Sequence, residues 1–166
     1  MVIAETEIWQ LLEQVPDPEI PVISILDLGI LRNVQWVNDT NEKQLKITIT
    51  PTYSGCPAMD AIALQIRLIL AEAGYKNVQI EYQLSPAWTT DWMSEKGKQM
   101  LKAYGIAPPL AQHQNDTLFS EGPQVPCPKC NANDTELISA FGATSCKALY
   151  RCKACNEPFD YFKCHR

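Results

Sequence analysis

Histidine is nearly absent from this chain: His113 and His165 are the only two among 166 residues. That scarcity excludes a histidine-rich oxygenase site, and the Glu-x-x-His pairs of a di-iron bundle are missing as well. There is no phosphate-cradling glycine loop and no Ser-His-Asp set. No apolar run approaches the ~20 residues that a helix needs to cross a membrane. The first residues, Met-Val-Ile-Ala-Glu-Thr-Glu, are acidic and lack the basic start and apolar stretch of a secretory signal. Basic charge is scarce too. The formal net charge is −5, and because residues 125–166 carry six Lys/Arg against four Asp/Glu, residues 1–124 hold −7. Bulk nucleic-acid binding needs a basic footprint, so the expectation is no nucleic acid and no membrane among the partners.

Cysteine is concentrated instead of absent. Cys56 stands alone in the first 126 residues, and the other six of the seven fall between positions 127 and 164. An odd number, clustered in metal-like spacing, indicates a reducing compartment and metal chemistry, not a disulfide framework. The expected location is the cytoplasm. Cys127/Cys130 and Cys152/Cys155 form two Cys-x-x-Cys pairs separated by a segment of zinc-ribbon length. Each pair can grip one metal through a tight turn, and four thiolates close a tetrahedral site. Zinc is the expected ion, with a rubredoxin-like iron as the alternative for an all-sulfur site. A module of ~40 residues cannot fold on its core alone, so the metal is read as structural.

Three further ligand-type residues sit beside this set. Thr135 to Phe141 and Cys146 to Cys152 read as a hairpin around Gly142, with Pro158 to Cys164 returning as a third strand. At ~3.3 Å per residue, Cys146 lies too far from Cys152 to share its metal. If Cys152 faces Pro158, however, Cys146 faces Cys164 with His165 adjacent, a candidate second metal or redox site. The alternative is two cysteines buried in a small core, and a slip of one residue would separate the thiols.

Cys56 lies in Thr50-Pro-Thr-Tyr-Ser-Gly-Cys-Pro, ahead of Met59, Ile62, Ala63, Ile66, Ile69, Leu70 and Ala73 at helical spacing. Pro57 suits the first helical position, which puts Cys56 at or next to the N-cap, where the helix dipole favours a thiolate. A small buried hydrophobe is the plainer reading. Upstream, Pro16, Pro18 and Pro21 stop a first helix marked by Ile8, Leu11, Leu12 and Val15. The loop that follows holds Asp17, Glu19 and Asp27 among apolar residues. Carboxylates there need hydrogen-bond donors or a cation, and turn or cap duty would satisfy them equally.

Ile30 to Val37 and Gln44 to Thr50 read as strands, the second alternating cleanly, and Val78 to Leu84 as a third. Gly74 closes the central helix, and Thr89 or Thr90 caps a last helix running through Tyr104. The order α-β-β-α-β-α predicts an α+β fold with helices on one face of a small mixed sheet, followed by a C-terminal zinc ribbon. The expected divisions are 1–107 for the first domain, 108–124 for a linker and 125–166 for the ribbon.

Asp17-Pro18-Glu19, Ser24-Ile-Leu-Asp-Leu-Gly29 and Thr50-x-Thr52-x-x-Gly55-Cys56-Pro57 resemble the SufT-like iron–sulfur assembly family. Ser85-Pro-Ala-Trp-Thr-Thr-Asp-Trp-Met, Phe141-Gly-Ala-Thr-Ser-Cys-Lys-Ala-Leu-Tyr-Arg-Cys and Glu157-Pro-Phe-Asp-Tyr-Phe-Lys-Cys-His resemble the D subunits (PaaD, also PaaJ) of the phenylacetyl-CoA epoxidase system. That resemblance implies a non-catalytic accessory subunit of aerobic phenylacetate degradation. Its implied role is to assemble or repair iron centres of the oxygenase and reductase subunits, which would be its partners. It implies structural zinc on Cys127, Cys130, Cys152 and Cys155. It also implies a transient iron or iron–sulfur relay site at Cys56 with Asp17, Glu19 and Asp27. A thiol enzyme using Cys56, and a ribbon that only assembles the complex, are the alternative readings.

Overall fold

The structure is a computed structural model that describes residues 5–39, 42–110 and 123–163. It divides into two compact units, residues 1–88 with 92–94, and residues 89–91 with 95–166.

In the first unit, α1 (Glu5–Leu12) carries Glu5 and Glu7 in its opening turn and buries Ile8 and Leu12. Acidic residues there suit the positive end of the helix. The proline-rich stretch after it does not run over the surface: Val15, Ile20, Ile23, Ile25, Leu28 and Ile30 are all at most 2% exposed. A buried loop must satisfy its own backbone. It does so by folding back, with Asp17 N donating to Ile23 O, Ile25 N to Val15 O and Leu28 N to Ser24 O.

Strands β1 (Leu31–Asp39) and β2 (Glu42–Ile49) pair antiparallel. The register jumps between Leu31↔Ile49 and Asn33↔Thr48, leaving Arg32 as the extra residue of a bulge. Leu45, Ile47 and Ile49 are completely buried, as their alternation predicts. The chain then crosses through α2 (Ala58–Glu72) to β3 (Val78–Tyr82), which joins β2 in parallel, giving the order β1-β2-β3. Helix α2 buries Met59, Ile62, Ile66 and Leu70 on one face. Its end is a Schellman motif: Gly74 has φ +95°, its N–H donates to Ala71 O, and Tyr75 N donates to Leu70 O.

The last helix differs from expectation. In place of one helix from Thr89 or Thr90, a 3-10 turn spans Thr90–Trp92 and α3 begins only at Glu95, ending at Ala103. The interruption has a cause in the first unit. Ser94 N donates to Asp27 O, and Trp88 Nε1 donates to Leu28 O at 3.0 Å. Arg32 stacks on the Trp92 ring at 3.6 Å. These tertiary bonds fix residues 92–94 in a non-helical path.

The second unit holds α3 and a four-stranded sheet in the order β4-β7-β6-β5. Its strands are β4 (Ile106–Ala107), β5 (Thr135–Ser139), β6 (Lys147–Cys152) and β7 (Pro158–Phe162). Ala107, Val125, Ala148, Tyr150, Phe159 and Tyr161 form a small core with Cys127 and Cys152.

Gly29 makes a sharp test of the close approach between loop and Trp92. It has φ +77°, and a Cβ there would sit 2.6 Å from Trp92 O. Gly29→Ala should cost about 2–4 kcal/mol, read from urea unfolding by tryptophan fluorescence. All four tryptophans (Trp9, Trp36, Trp88 and Trp92) lie in the first unit, so the signal reports that unit alone.

Candidate metal centres

Two matched knuckles bring the four ribbon cysteines together. In the first, Asn131 N donates to Cys127 O and Cys127 N to Ala132 O. In the second, Cys152 N donates to Glu157 O, and Cys155 N points at Cys152 Sγ at 3.5 Å. Each knuckle turns through an asparagine with φ 61°, Asn131 and Asn156, immediately after its second cysteine. Asparagine tolerates the left-handed region better than most residues, so the repeated Cys-Asn pair was a readable signal that spacing alone passed over. Lys129 Nζ, from the first knuckle, bonds Glu157 Oε2 of the second at 2.8 Å.

The four sulfurs lie within 4.8 Å of one another. Cys127–Cys155 and Cys130–Cys152 are separated by 3.8 and 3.5 Å. A tetrahedral ion with Zn–S bonds of about 2.3 Å requires sulfur–sulfur edges of about 3.8 Å. The donor set can therefore close around such an ion, and the cluster is a metal-binding one. Its acidities show the same crowding. The Cys155 amide, followed by the Cys130 thiol, brings Cys152 down to about 7, against its burial. The Ala132 amide lowers Cys130, yet the Cys152 thiol, burial and the other two sulfurs push it up to about 12. Cys152 accepts negative charge readily, whereas Cys130 and Cys155 resist it until a cation neutralises the cluster.

The second candidate thiol site rests on a register that the structure does not adopt. Strands β6 and β7 pair as Arg151↔Pro158 and Lys147↔Phe162, one residue away from Cys152 opposite Pro158. The knuckle explains the shift: with Asn156 left-handed, the closing bond runs from Cys152 N to Glu157 O. Cys146 is accordingly bonded across the strands to Lys163, whose N–H donates to its carbonyl at 2.9 Å. Cys146 is buried, with Sγ 3.1 Å from Thr144 Oγ1. Cys164 and His165 lie outside the described residues.

Cys56 has a different environment. It precedes Pro57, which is the N-cap of α2 and not its first residue, with φ −68° and ψ −20°. The thiol is half-buried, and its pKa is raised. Burial is the largest cause; the Ala58 amide and the Tyr53 side chain pull the other way, and the charges of Glu19 and Asp17 add to the rise. The expected helix-terminus effect is thus present in the Ala58 amide but is outweighed. Gly55, with φ +78°, leaves open space beside the thiol's own backbone, since nothing lies within 4 Å of where its Cβ would be.

The acidic loop residues divide by partner. Asp17, 6% exposed, accepts from the N–H groups of Glu19 and Ile20 through Oδ1, both at 2.8 Å. Asp27 accepts from Ser24 Oγ at 3.0 Å and from Ser94 Oγ at 2.6 Å. Asp17 and Asp27 therefore do the turn-holding work that their residue type suggests, while Asp17 and Glu19 also charge the surroundings of Cys56. Ser94, 67 residues from Asp27 in sequence, was not among the expected residues. Thr50 Oγ1, buried at the start of the Cys56 loop, finds no hydrogen-bond partner among the described residues.

The electrostatic link is measurable. A carboxylate raises the pKa of a neighbouring thiol, so Glu19→Gln should lower it and increase the thiolate fraction at any pH below it. Alkylation of Cys56 by iodoacetamide near pH 8, followed by mass spectrometry, should therefore run roughly twofold faster in the variant. An unchanged or slower rate would show that Glu19 does not act on Cys56.

Comparison with known proteins bears on both units. Residues 5–81 match the family described as iron-sulfur cluster assembly protein, and residues 111–163 match the PaaD zinc beta ribbon domain. An Escherichia coli protein named "Putative 1,2-phenylacetyl-CoA epoxidase", as its D subunit, is 51% identical over 158 residues, 95% of this chain and 92% of that one. A Porphyromonas gingivalis protein named Fe-S protein maturation auxiliary factor is 38% identical over 93 residues, 55% of this chain and 85% of that one. Among solved structures, a domain of unknown function, DUF59, from Bacillus anthracis matches with TM-score 0.51 and 28% identity, covering 58% of this chain and 90% of that chain. With half its residues shared along nearly the whole of both chains, the protein belongs to the PaaD family, an iron–sulfur-assembly domain joined to a zinc beta ribbon.

Proposed function

We propose that this chain is a non-catalytic accessory subunit of a phenylacetyl-CoA epoxidase system that delivers or restores iron in the oxygenase or its reductase. The observation that carries the reading is the half-buried Cys56 thiol beside the charges of Asp17 and Glu19. It lies in a domain shared with a protein named for Fe–S maturation, and the assignment to the epoxidase system follows the naming of the Escherichia coli relative. Its partners in this reading are the oxygenase and reductase subunits, and it works in the cytoplasm. No helix among the described residues is long and apolar enough to cross a membrane.

The chemistry suits a cation as cargo better than an electrophile as substrate. A resting thiolate is a nucleophile, whereas a thiol held protonated by burial and carboxylates gives up its proton when a cation neutralises the site. Fe(II) bound at Cys56 would exchange with the Sγ proton, and Asp17 and Glu19 would offset its charge. The ribbon is the resident site in this account, with zinc on Cys127, Cys130, Cys152 and Cys155 holding the second unit together. A thiol enzyme built on Cys56 would need a base to activate it, and burial, the largest influence on this thiol, keeps the proton on.

Co-expression tests the reading. Cys56→Ser, produced with the oxygenase and reductase subunits, should leave both present but reduce oxygenase iron content and epoxidation several-fold. Full iron loading and full activity with the variant would refute it.

A further inference from the structure

The first unit's sheet ends abruptly on one side. Strand β3 is the last in the order β1-β2-β3, and among the described residues no strand lies beyond it. Its hydrogen-bonding parity is fixed by two bonds to β2: Leu45 N donates to Asn77 O, and Gln83 N donates to Ile49 O. Alternate residues face β2, so the N–H and C=O groups of Val78, Ile80 and Tyr82 point outward. The side chains of these three residues lie opposite Leu45, Ile47 and Ile49, on the core face of the sheet. Yet Val78 and Ile80 are only partly buried, and Tyr82 is 45% exposed. The core is unfinished along this edge.

Helix α2 flanks the same edge, because Arg67 Nη1 reaches outward-facing Val78 O at 3.2 Å. Asp60, Ala63, Leu64 and Arg67 share one face of α2, following the i, i+3, i+4, i+7 spacing. Leu64 is 57% exposed there. That quartet is self-complementary when reversed. An antiparallel copy centred between Ala63 and Leu64 sets Asp60 against Arg67 at both ends and the small Ala63 against the large Leu64 in the middle. The centre also agrees with the strand. Ile80 lies two residues beyond Val78, about 6.6 Å along β3. Since α2 runs antiparallel to β3, that step corresponds to about four residues back from Arg67.

We infer that the first unit pairs with a second copy of this chain through the β3 edge, antiparallel about Ile80, with the α2 helices packed side by side around Ala63 and Leu64. The outward N–H and C=O groups of Val78, Ile80 and Tyr82 then bond their counterparts. Val78 meets Tyr82, which covers both core-face side chains. Arg67 leaves Val78 O, whose place is taken by the Tyr82 N–H of the other copy, and pairs with Asp60 across the two-fold axis. The occupant is a copy of the same chain because one surface supplies both halves of the charge pattern, as an isologous interface requires. A partner of unrelated sequence would need that pattern in reverse by coincidence.

The test is sedimentation of the full chain over a range of concentrations, with four variants beside it. The wild type should be a concentration-dependent dimer. Leu64→Glu adds a carboxylate close to Asp60 of each copy at the centre of the contact and should raise the dissociation constant on the order of a hundredfold. Asp60→Arg and Arg67→Asp should each weaken association, and the double exchange should restore it, since only the sense of the pair is reversed. Circular dichroism confirms that each variant is folded; these are exposed helix positions. A wild type that stays monomeric throughout overturns the proposal, including one that binds a different protein along this edge. So does a dimer indifferent to Leu64→Glu, or a double exchange no better than the single ones.

Discussion

Four sulfurs within 4.8 Å of one another form an arrangement that a bound cation would stabilise more than any other group in the second unit. Thiolates repel, and protonated thiols bond one another only weakly, so the convergence is a demand for positive charge. Much else in the second unit follows from it. The two knuckles take their shape from backbone bonds to Cys127 and Cys152, and both of those cysteines sit inside the small core with Tyr150 and Phe159. Without a cation the residues that close the knuckles would lose their anchor. The exposed ion pairs around them, Lys129 with Glu157 and Lys153 with Asp134, are of the kind worth little alone.

The first unit answers to a different constraint. Its proline-rich loop is buried, so its carboxylates cannot be idle. Asp17 holds two N–H groups of its own turn, and Asp27 gathers the hydroxyls of Ser24 and Ser94. These bonds secure the loop where Asp17 and Glu19 act on Cys56. The same groups thus serve folding and, in the proposed function, cation capture. A turn aspartate that also charges a thiol is an economical way to make a site that is strongly placed and weakly occupied.

Much of this was legible in the residues. The alternation of Leu45, Ile47 and Ile49, the apolar face of α2, Gly74 at its end and the paired Cys-x-x-Cys motifs each point to one structure because local preference and burial agree. What escaped the sequence depended on distant or geometric terms. The break before α3 comes from Asp27 and Leu28 capturing residues sixty or more positions away. The register of β6 on β7 is set by a left-handed Asn156, and a period of two cannot tell one register from the next. The sign of the Cys56 shift reflects burial competing with the Ala58 amide, a balance that spacing does not encode.

In the proposed function the chain carries two metal stations of opposite character, a closed thiolate site that keeps its ion and an open thiol–carboxylate site that does not. The most direct test is an anaerobic Fe(II) titration of the zinc-loaded chain, Cys56→Ser and Cys152→Ser, with bound metal counted before and after a chelator. The wild type should retain its zinc and lose the added iron to the chelator. Cys56→Ser should keep zinc and take up no such iron, and Cys152→Ser should lose zinc but still take it up. Equal labile iron in wild type and Cys56→Ser would contradict the account.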